Sequence, residues 1–464
     1  MADRLVRWLP VALVCGVVAM VARRAAAPIR DPDDWWHLRI GHELIAQRSL
    51  ATPDWSTFGT VPWVPTEPLP EIVAAYVERW AGLPGLAVLF WLAALAVVLA
   101  VHAANRREAG PLAASVATVF TVLAAAASLT SRPQLLSFVL IPVLLAAWLQ
   151  TERDLKPRWW LIPLVWAWSL CHGFWFLGAG LGCVVALGIA LSRRADGRTL
   201  ARLGAVAAGS FAVVALNPVG LGILEAPFAV RSTARFIAEW KRTDLLTWGP
   251  LGALLMIGLT AVVWAVTRRG ATWSRALLLV VATVLVWYSA RLVVVGALVA
   301  GPLFAATLEG LGRRSAAGTE PLPARTEFRV IGVWAVLCTL VVAVAAPQVA
   351  DRPGDVPTTL DPALDRLPPG TGVLNAYELG GWLAWRHPGL EQYVDGLITP
   401  YSVAHVEGYD RVVRQAPGWY DVVRDADLRV ALVDEDSALA AGLAERGWVP
   451  DGTSDGYVLL RRPG

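Results

Sequence analysis

The sequence predicts an α-helical polytopic membrane protein that carries a small α/β domain at its C-terminal end, outside the cytoplasm. Hydrophobic residues make up 56% of the 464 residues and charged residues only 17%, so one aqueous core is too small to bury the apolar side chains. The apolar residues form separate runs of membrane-spanning length. After residue 349 the composition changes sharply, because acidic residues become abundant.

About eleven apolar segments are long enough to span a bilayer, which takes about 20 residues and fewer where flanking Arg and Trp side chains reach the headgroups. The middle of nearly every segment is free of Asp, Glu, Lys and Arg. We therefore predict eleven spans near residues 8–26, 83–103, 111–129, 134–150, 159–171, 174–192, 203–217, 250–267, 276–290, 292–311 and 330–349.

Basic residues fall on alternate loops and set the orientation. The positive-inside rule places those loops in the cytoplasm, so the N terminus is predicted inside and the C terminus outside. The loops carry Arg4, Arg7, Arg106, Arg107, Arg153, Lys156, Arg158, Arg193, Arg194, Arg198, Arg268, Arg269, Arg275, Arg313, Arg314, Arg325 and Arg329. Arg23, Arg24 and Arg30 are the exception, since they follow the first segment on the outer side.

The first segment has a second interpretation, as a cleaved signal peptide. Two arginines precede about 15 apolar residues, and the string RAAAP supplies small residues for cleavage. Under either interpretation the chain after Ala27 lies outside. Two long outer loops are then predicted, at 27–82 and 217–249.

The C-terminal segment 350–464 reads as a separate water-facing domain that follows a membrane domain at 1–349. It contains 18 acidic residues against 10 Arg and no Lys. After a Pro-rich start, the runs TGVLNA, QYVDGL, LRVALVDED and GYVLLRR are typical of strands, and YELGGWLAWR and YSVAHVEGYDRVVRQ are typical of helices. This alternation predicts a small α/β domain.

Polar residues concentrate at the predicted outer ends of the spans, where an ionisable group is a functional candidate. Arg132, His172 and Arg291 lie on outer turns. The outer loops add Asp31, Asp33, Asp34, His37, Glu67, Glu239, Lys241 and Arg242. We expect these side chains to share one face, and an acidic cluster beside a ring of cations suits an enzyme that handles a lipid phosphate.

Each candidate also has a structural interpretation. Arg132 and Arg291 suit side chains that extend to the headgroups. His172 precedes a glycine and suits a tight turn with a backbone hydrogen bond. The string DPDD suits a helix start, with Asp at the cap and Pro at the first helical position, and Glu67 suits a cap for a helix that begins at Pro68.

The chain resembles a group of bacterial multispanning proteins classed with the GT-C glycosyltransferases. The resemblance is carried by DPDDWWHLRIGHELIAQRSLATPDWSTF, PWVPTEPLPEIV, SRPQLLSF, HGFW, LNPVGL, ARLVVVGALVAGPLFA and LNAYELGGWLAWR with YVDG. It implies a multispan enzyme of the bacterial cytoplasmic membrane whose donor is a polyprenyl-phosphate sugar. It also implies an acidic motif in the first outer loop, which Asp31 and Asp33 match.

These residues suggest how an inverting transfer would proceed. An acceptor hydroxyl loses a proton as it attacks the anomeric carbon, so Asp33 is the predicted general base, with Asp31 and Asp34 beside it. The departing polyprenyl phosphate gains negative charge, which fixed cations stabilise. Its predicted ligands are Arg132, Arg291, His172, Lys241 and Arg242.

Three further assignments complete the predicted site. A divalent ion, Mg²⁺ or Mn²⁺, suits the oxygen ligands of Asp31, Asp33 and Glu67, but the sequence leaves metal dependence open. Tyr377, Glu378 and Asp395 of the C-terminal domain are predicted to bind the acceptor or to serve packing beside Gly380 and Gly381. His37, Glu67 and Glu239 are auxiliary candidates, and the acceptor is a glycan, a lipid or a protein.

Other functions fit the sequence less well or stay open. A nucleotide-sugar donor is disfavoured, because no cytoplasmic loop is long enough for a nucleotide-binding domain. Nucleic acid is not an expected partner, since the basic residues are scattered over loops. A flippase of lipid-linked sugars would need charges at the membrane midplane, which the spans lack. A ligase or polymerase of lipid-linked glycans and a non-catalytic envelope scaffold stay as alternatives.

Overall fold

The computed structural model describes residues 2–229, 233–312 and 322–463, which divide into two compact units. The helical unit comprises Met1–Ala27, Pro84–Leu224 and Ile237–Val349. The α/β unit comprises Pro28–Leu83, Glu225–Phe236 and Ala350–Gly464. The predicted boundary after residue 349 coincides with one division between the units, and the first long loop is grouped with the C-terminal segment. Arg313 and Arg314 lie outside the described residues.

The described part of the chain contains eighteen α-helices. In chain order they are α1 (Ala2–Ala25), α2 (Pro32–Gln47), α3 (Pro68–Arg106), α4 (Pro111–Ala125), α5 (Gln134–Asp154), α6 (Leu161–Ser169), α7 (Trp175–Leu191), α8 (Gly197–Ala212), α9 (Ala226–Ala229), α10 (Trp248–Thr267), α11 (Trp273–Tyr288), α12 (Val293–Gly312), α13 (Ala324–Val349), α14 (Asp361–Leu364), α15 (Gly380–Arg386), α16 (Val403–Val413), α17 (Trp419–Asp425) and α18 (Ala438–Glu445).

A helix of the helical unit overlaps each of the eleven apolar segments predicted from the sequence. Within the described residues, eight stretches are long and apolar enough to cross a membrane: Arg7–Ala25, Pro68–Arg106, Pro111–Ser128, Gln134–Asp154, Gly197–Leu216, Trp248–Thr267, Ala290–Gly312 and Ala324–Val349. The helices α7 and α11 are apolar but shorter, and α6 has nine residues. The polytopic helical fold is therefore confirmed, and the count of eleven spans stays a prediction.

The core of the helical unit is built around α12, whose span is 83% buried. This helix packs against α4, α10 and α11. The first helix, α1, packs against α4 and α13. Helix starts follow from local capping, since the Asp196 side chain accepts a hydrogen bond from the Thr199 backbone N–H at the start of α8, and Thr272 accepts one from the Arg275 N–H at the start of α11.

A five-stranded sheet forms the centre of the α/β unit. Its strands are β1 (Gly372–Asn375), β2 (Glu391–Gln392), β3 (Val430–Asp434), β4 (Val449–Ser454) and β5 (Tyr457–Arg461), in the order β2-β1-β3-β5-β4. β1 is parallel to β2 and β3, whereas β5 is antiparallel to β3 and β4. The predicted small α/β fold is confirmed by this mixed sheet.

Two parts of the α/β unit differ from the sequence-based prediction. The edge strand β4 was not predicted, because its residues VPDGTS contain Pro and Gly and its pairing is interrupted between Pro450 and Gly452. Helices α17 and α18 were not predicted either. They pack on the sheet through a core that includes Leu374, Val423, Val433 and Leu443.

Candidate functional site

The acidic motif in the first long loop forms the start of helix α2. The Asp31 side chain caps the helix and accepts a hydrogen bond from the Asp33 backbone N–H at 3.2 Å, and Pro32 takes the first helical position. Asp33 and Asp34 fill the first turn, where negative charge is favoured by the helix dipole. The interpretation of DPDD as a helix start is therefore confirmed, and it coexists with the predicted chemical role.

The acidic turn packs against the two glycine motifs of the C-terminal segment. A Cβ on Gly381 would lie 2.8 Å from the Pro32 carbonyl oxygen and 3.1 Å from the Trp36 backbone nitrogen, so only glycine lets α15 approach α2 this closely. The Asp33 carboxylate lies directly against Gly396, and a Cβ there would overlap it. The motifs LGGW and YVDG thus fix the position of the acidic turn.

Asp395 is fully buried and ties the first long loop to the sheet. Its carboxylate accepts hydrogen bonds from the Trp55 indole N–H (2.8 Å), the Gln392 amide (3.0 Å), the Tyr401 hydroxyl (2.6 Å) and the Leu397 backbone N–H (2.9 Å). Burial raises the pKa of Asp395 despite these donors. These contacts give Asp395 a structural role, and its role toward an acceptor stays a prediction.

Two other predicted residues of the C-terminal segment follow strand β1. Tyr377 and Glu378 belong to a short 3₁₀ turn, Tyr377–Leu379, and Glu378 is exposed. Nearby, the Tyr409 hydroxyl donates to the Asn375 carbonyl at 3.2 Å. The turn lies at the carboxyl end of a parallel strand, the edge at which such sheets tend to bind ligands.

A cluster of one histidine and two carboxylates lies between α2 and the start of α3. His37 Nδ1 is 2.9 Å from Glu71 Oε1, and His37 Nε2 is 3.5 Å from Glu67 Oε2. The side chains of His37 and Glu71 are 7% and 2% exposed. Glu71 Oε2 is buried and has no hydrogen-bond partner among the residues that the structure describes. We call His37, Glu67 and Glu71 the His–Glu cluster.

The His–Glu cluster fits a divalent metal. One donor atom from each residue lies within 4.8 Å of the others. An imidazole with two carboxylates suits Zn²⁺ or Mn²⁺, and the Glu71 oxygen without a partner is a ligand that such an ion would satisfy. Among the residues that the structure describes, Glu67 is grouped with His37 and Glu71, and the predicted companions Asp31 and Asp33 are not in that group.

Glu71 is the residue that the sequence analysis missed. Its signal was the spacing of four residues after Glu67, which places both carboxylates on one face at the beginning of a helix. Both carboxylates belong to the string PTEPLPE.

In the helical unit, two predicted arginines meet on one carboxylate. Arg132 Nη1 is 2.9 Å from Glu239 Oε1, and Arg291 Nη1 is 2.7 Å from Glu239 Oε2. Arg132 lies between α4 and α5, Arg291 just before α12, and Glu239 in a short 3₁₀ turn, Ala238–Trp240. The two arginine side chains are 15% and 22% exposed, so this is a partly buried anion-binding arrangement. We call it the Arg–Glu–Arg cluster.

The remaining predicted cations lie beside this cluster in the chain. The Arg242 guanidinium stacks 4.4 Å over the Trp287 ring, which favours a fixed cation. The Lys241 carbonyl accepts a hydrogen bond from the Ala290 backbone N–H, next to Arg291. Rings of Phe174 and Trp240 lie 5.8 Å from the Arg291 guanidinium and limit its motion.

His172 is buried in the turn between α6 and α7. Its Nδ1 accepts a hydrogen bond from the Phe174 backbone N–H at 3.2 Å and lies 2.8 Å from the Ser137 hydroxyl. Burial, with a smaller contribution from Arg291, places the pKa of His172 well below its usual range. The backbone hydrogen bond from Phe174 confirms the turn interpretation, and the role of His172 toward a phosphate stays a prediction.

Comparison with solved structures identifies the fold. The structure is similar over 95% of its length to the Archaeoglobus fulgidus oligosaccharyltransferase AglB in complex with an inhibitory peptide and a dolichol-phosphate, with a TM-score of 0.61, 12% identity and 72% of that chain covered. It is also similar to Cupriavidus metallidurans ArnT. The apo state gives a TM-score of 0.53 at 15% identity over 100% of both chains.

A second structure of ArnT, bound to undecaprenyl phosphate, gives a TM-score of 0.50 at 16% identity over 98% of this chain and 99% of that chain. No family model and no curated protein matches the sequence. At these identities the likeness establishes the fold, and it extends over nearly the whole chain. The chain therefore has the polytopic fold of AglB and ArnT, which agrees with the architecture expected from its sequence resemblance.

Proposed function

We propose that this protein is a membrane glycosyltransferase that moves a sugar from a polyprenyl-phosphate donor to an acceptor outside the cytoplasm. The Arg–Glu–Arg cluster carries the proposal, because two guanidinium groups converge on one anionic group in a partly buried place. The fold supports it, since AglB and ArnT were solved with dolichol-phosphate and undecaprenyl phosphate.

The Arg–Glu–Arg cluster would bind the phosphate of the donor. A phosphate has the charge and the oxygen spacing to take the place of the Glu239 carboxylate between Arg132 and Arg291. As the bond between the anomeric carbon and the phosphate oxygen breaks, that oxygen gains negative charge. Fixed guanidinium groups stabilise it without reorganising.

Asp33 would serve as the general base. The acceptor hydroxyl oxygen attacks the anomeric carbon as its proton passes to the Asp33 carboxylate, and polyprenyl phosphate leaves from the opposite face, so the configuration inverts. The packing of the acidic turn on Gly381 and Gly396 supports this role, because a base must be held within hydrogen-bond reach of its substrate. Asp31 and Asp34 are the alternative bases.

The His–Glu cluster would hold a divalent ion through His37, Glu67 and Glu71. When bound, such an ion supplies positive charge that polarises phosphate oxygens. Without it, the hydrogen bond between His37 and Glu71 still joins the start of α3 to α2.

The test of this function is release of polyprenyl phosphate by purified full-length protein in nanodiscs, with polyprenyl-phosphate sugars as donors. Asp33→Asn should lower turnover by about 10²-fold or more and leave donor affinity nearly unchanged, because the amide keeps the shape and loses the basicity. Asp54→Asn, an exposed carboxylate of the same loop, is the matched control. Normal turnover in Asp33→Asn would move the base to Asp31 or Asp34.

One observation favours a second candidate, transfer of a whole lipid-linked glycan. The TM-score with the oligosaccharyltransferase AglB exceeds that with ArnT. Mass analysis of the acceptor product separates the two functions, since one shows the addition of a single sugar and the other the addition of the complete oligosaccharide.

A further inference from the structure

A cavity of about 430 Å³ lies in the helical unit, and none of its lining residues belongs to the predicted site. It is formed where α5 and α7 end and where α11 begins. This volume is within the range of about 300–1,000 Å³ that is usual for sites of small ligands. The walls used below are Glu152, Leu191, Arg194, Thr272, Trp273 and Ala276.

The cavity combines an apolar wall with a cation at its edge. Leu191 and Trp273 are 45% and 57% exposed, which suits acyl chains and the headgroup boundary. Arg194 is also exposed, and within the residues that the structure describes it forms no ion pair. An amphipathic ligand with a negative head matches this pattern.

The carboxylate in the cavity wall does not oppose an anion, because it is already neutralised. Glu152 Oε2 is 3.4 Å from Arg275 Nε and Glu152 Oε1 accepts a hydrogen bond from the Thr272 hydroxyl. Arg275 also binds Glu108 at 2.7 Å, and Arg153 binds Glu108 from the other side. The charges of the two arginines therefore balance those of the two glutamates. The additional charge of Arg194 makes the cavity positive overall.

The loops around the cavity are basic. Residues 192–202 contain four Arg and one Asp, and residues 268–275 contain three Arg and no acidic residue. The positive-inside rule predicts that both loops face the cytoplasmic leaflet, where anionic phospholipids lie. Basic pockets between transmembrane helices on that side bind the headgroups of such lipids.

We infer that this cavity binds an anionic phospholipid of the inner leaflet, with the phosphate at Arg194 and an acyl chain along Leu191 and Trp273. The lipid would join the ends of α5, α7 and α11. Its role is independent of the proposed sugar transfer.

Native mass spectrometry of the delipidated full-length protein tests the inference, with phosphatidylglycerol as the probe and phosphatidylcholine as the neutral comparison. The wild type should bind the first phosphatidylglycerol more tightly than phosphatidylcholine. Arg194→Gln should weaken the first phosphatidylglycerol by about fivefold, the effect of one arginine near a headgroup. Arg198→Gln, a change four residues further along in the first turn of α8 and outside the cavity wall, should bind phosphatidylglycerol as tightly as the wild type does.

A second variant tests the cavity without changing any charge. Ala276→Phe fills the space and should abolish the tight phosphatidylglycerol site. The inference is overturned if Arg194→Gln and Arg198→Gln weaken binding equally, if both lipids bind the wild type equally well, or if a folded Ala276→Phe protein keeps the site. If Ala276→Phe does not fold by size-exclusion chromatography, the comparison of the two arginine variants decides.

Discussion

Glu239 holds the two arginines that the proposed mechanism assigns to the donor phosphate, and its own side chain is 40% exposed. A carboxylate that is hydrogen-bonded to both guanidinium groups competes with any phosphate that enters. It also keeps the two cations from repelling each other before the donor arrives. The balance of these effects determines the affinity for the donor.

Glu239→Gln should therefore strengthen the binding of polyprenyl phosphate by about tenfold, because a neutral amide competes less with phosphate for the two guanidinium groups. The measurement is the Kd of polyprenyl phosphate for the full-length protein in detergent. Glu225→Gln, at an exposed position of the same predicted outer loop at 217–249, serves as the control. Weaker binding in Glu239→Gln would show that the carboxylate chiefly positions the arginines.

His405 makes the stability of the α/β unit depend on pH. Its Nε2 donates to the Tyr393 carbonyl at 2.7 Å, and burial lowers the pKa of the imidazole. The folded-state pKa of His405 lies below the unfolded value of about 6.5, so the folded state favours the neutral imidazole. The stability that the neutral imidazole contributes is fully present above pH 6.5 and is lost as the pH falls toward the folded-state pKa. His405→Gln should reduce the loss of thermal stability between pH 7.5 and pH 5.5. Equal losses in both proteins would assign the effect to other groups.

For single residues, the sequence predicted which side chains belong to the candidate site better than it predicted which side chains they contact. The Asp–Pro start of α2 was predictable, because capping is local in sequence. Arg132 and Arg291 were both chosen as phosphate ligands, but their shared partner Glu239 was assigned only an auxiliary role. Glu239 lies 107 residues after Arg132 and 52 residues before Arg291. No local sequence pattern predicts that the three side chains meet.

The contact between helices α2 and α15 determines where the acidic turn lies. Trp35 stacks on Trp385 with ring centroids 5.0 Å apart, beside the close approach at Gly381. Gly381→Ala should push the helices apart, destabilise the α/β unit by about 1–3 kcal/mol and reduce turnover. The measurements are thermal unfolding and release of polyprenyl phosphate.

Gly389→Ala provides the matched control for that change, since the nearest atom to an added Cβ there lies 4.0 Å away. It should leave stability and turnover as in the wild type. If Gly381→Ala behaves in the same way, the contact between α2 and α15 does not hold the acidic turn.

Among the elements, the long apolar helices were the most predictable, because their interiors exclude charge over a whole span. The β-strands were less predictable than these helices. β4 pairs only at the edge of the sheet and tolerates Pro and Gly, so its sequence resembles a turn. QYVDGL was predicted as a strand, yet only Glu391 and Gln392 pair, and Asp395 beyond them turns inward to bind the first loop.

The whole molecule is predicted to cross the membrane with its N terminus inside and its C terminus outside. In a background without cysteines, Arg198→Cys should react with an impermeant maleimide only from the cytoplasm and Asp436→Cys only from outside, and both positions are exposed. The Cys-free background is needed because Cys183 is exposed. Labelling of Asp436→Cys from the cytoplasm would contradict the proposed extracytoplasmic reaction.

The hydrogen bond between Trp55 and Asp395 joins residues 340 positions apart, and it has a consequence for biosynthesis. At translation rates of about 5–20 residues per second, the first loop emerges roughly 20–70 s before its partner. During that interval Trp35, on the buried side of α2, lacks helix α15 and the ring of Trp385 on which it stacks in the folded protein. Nascent chains would then depend on a chaperone outside the membrane, and a chain cut before residue 350 would be degraded rather than persist as a donor-binding fragment.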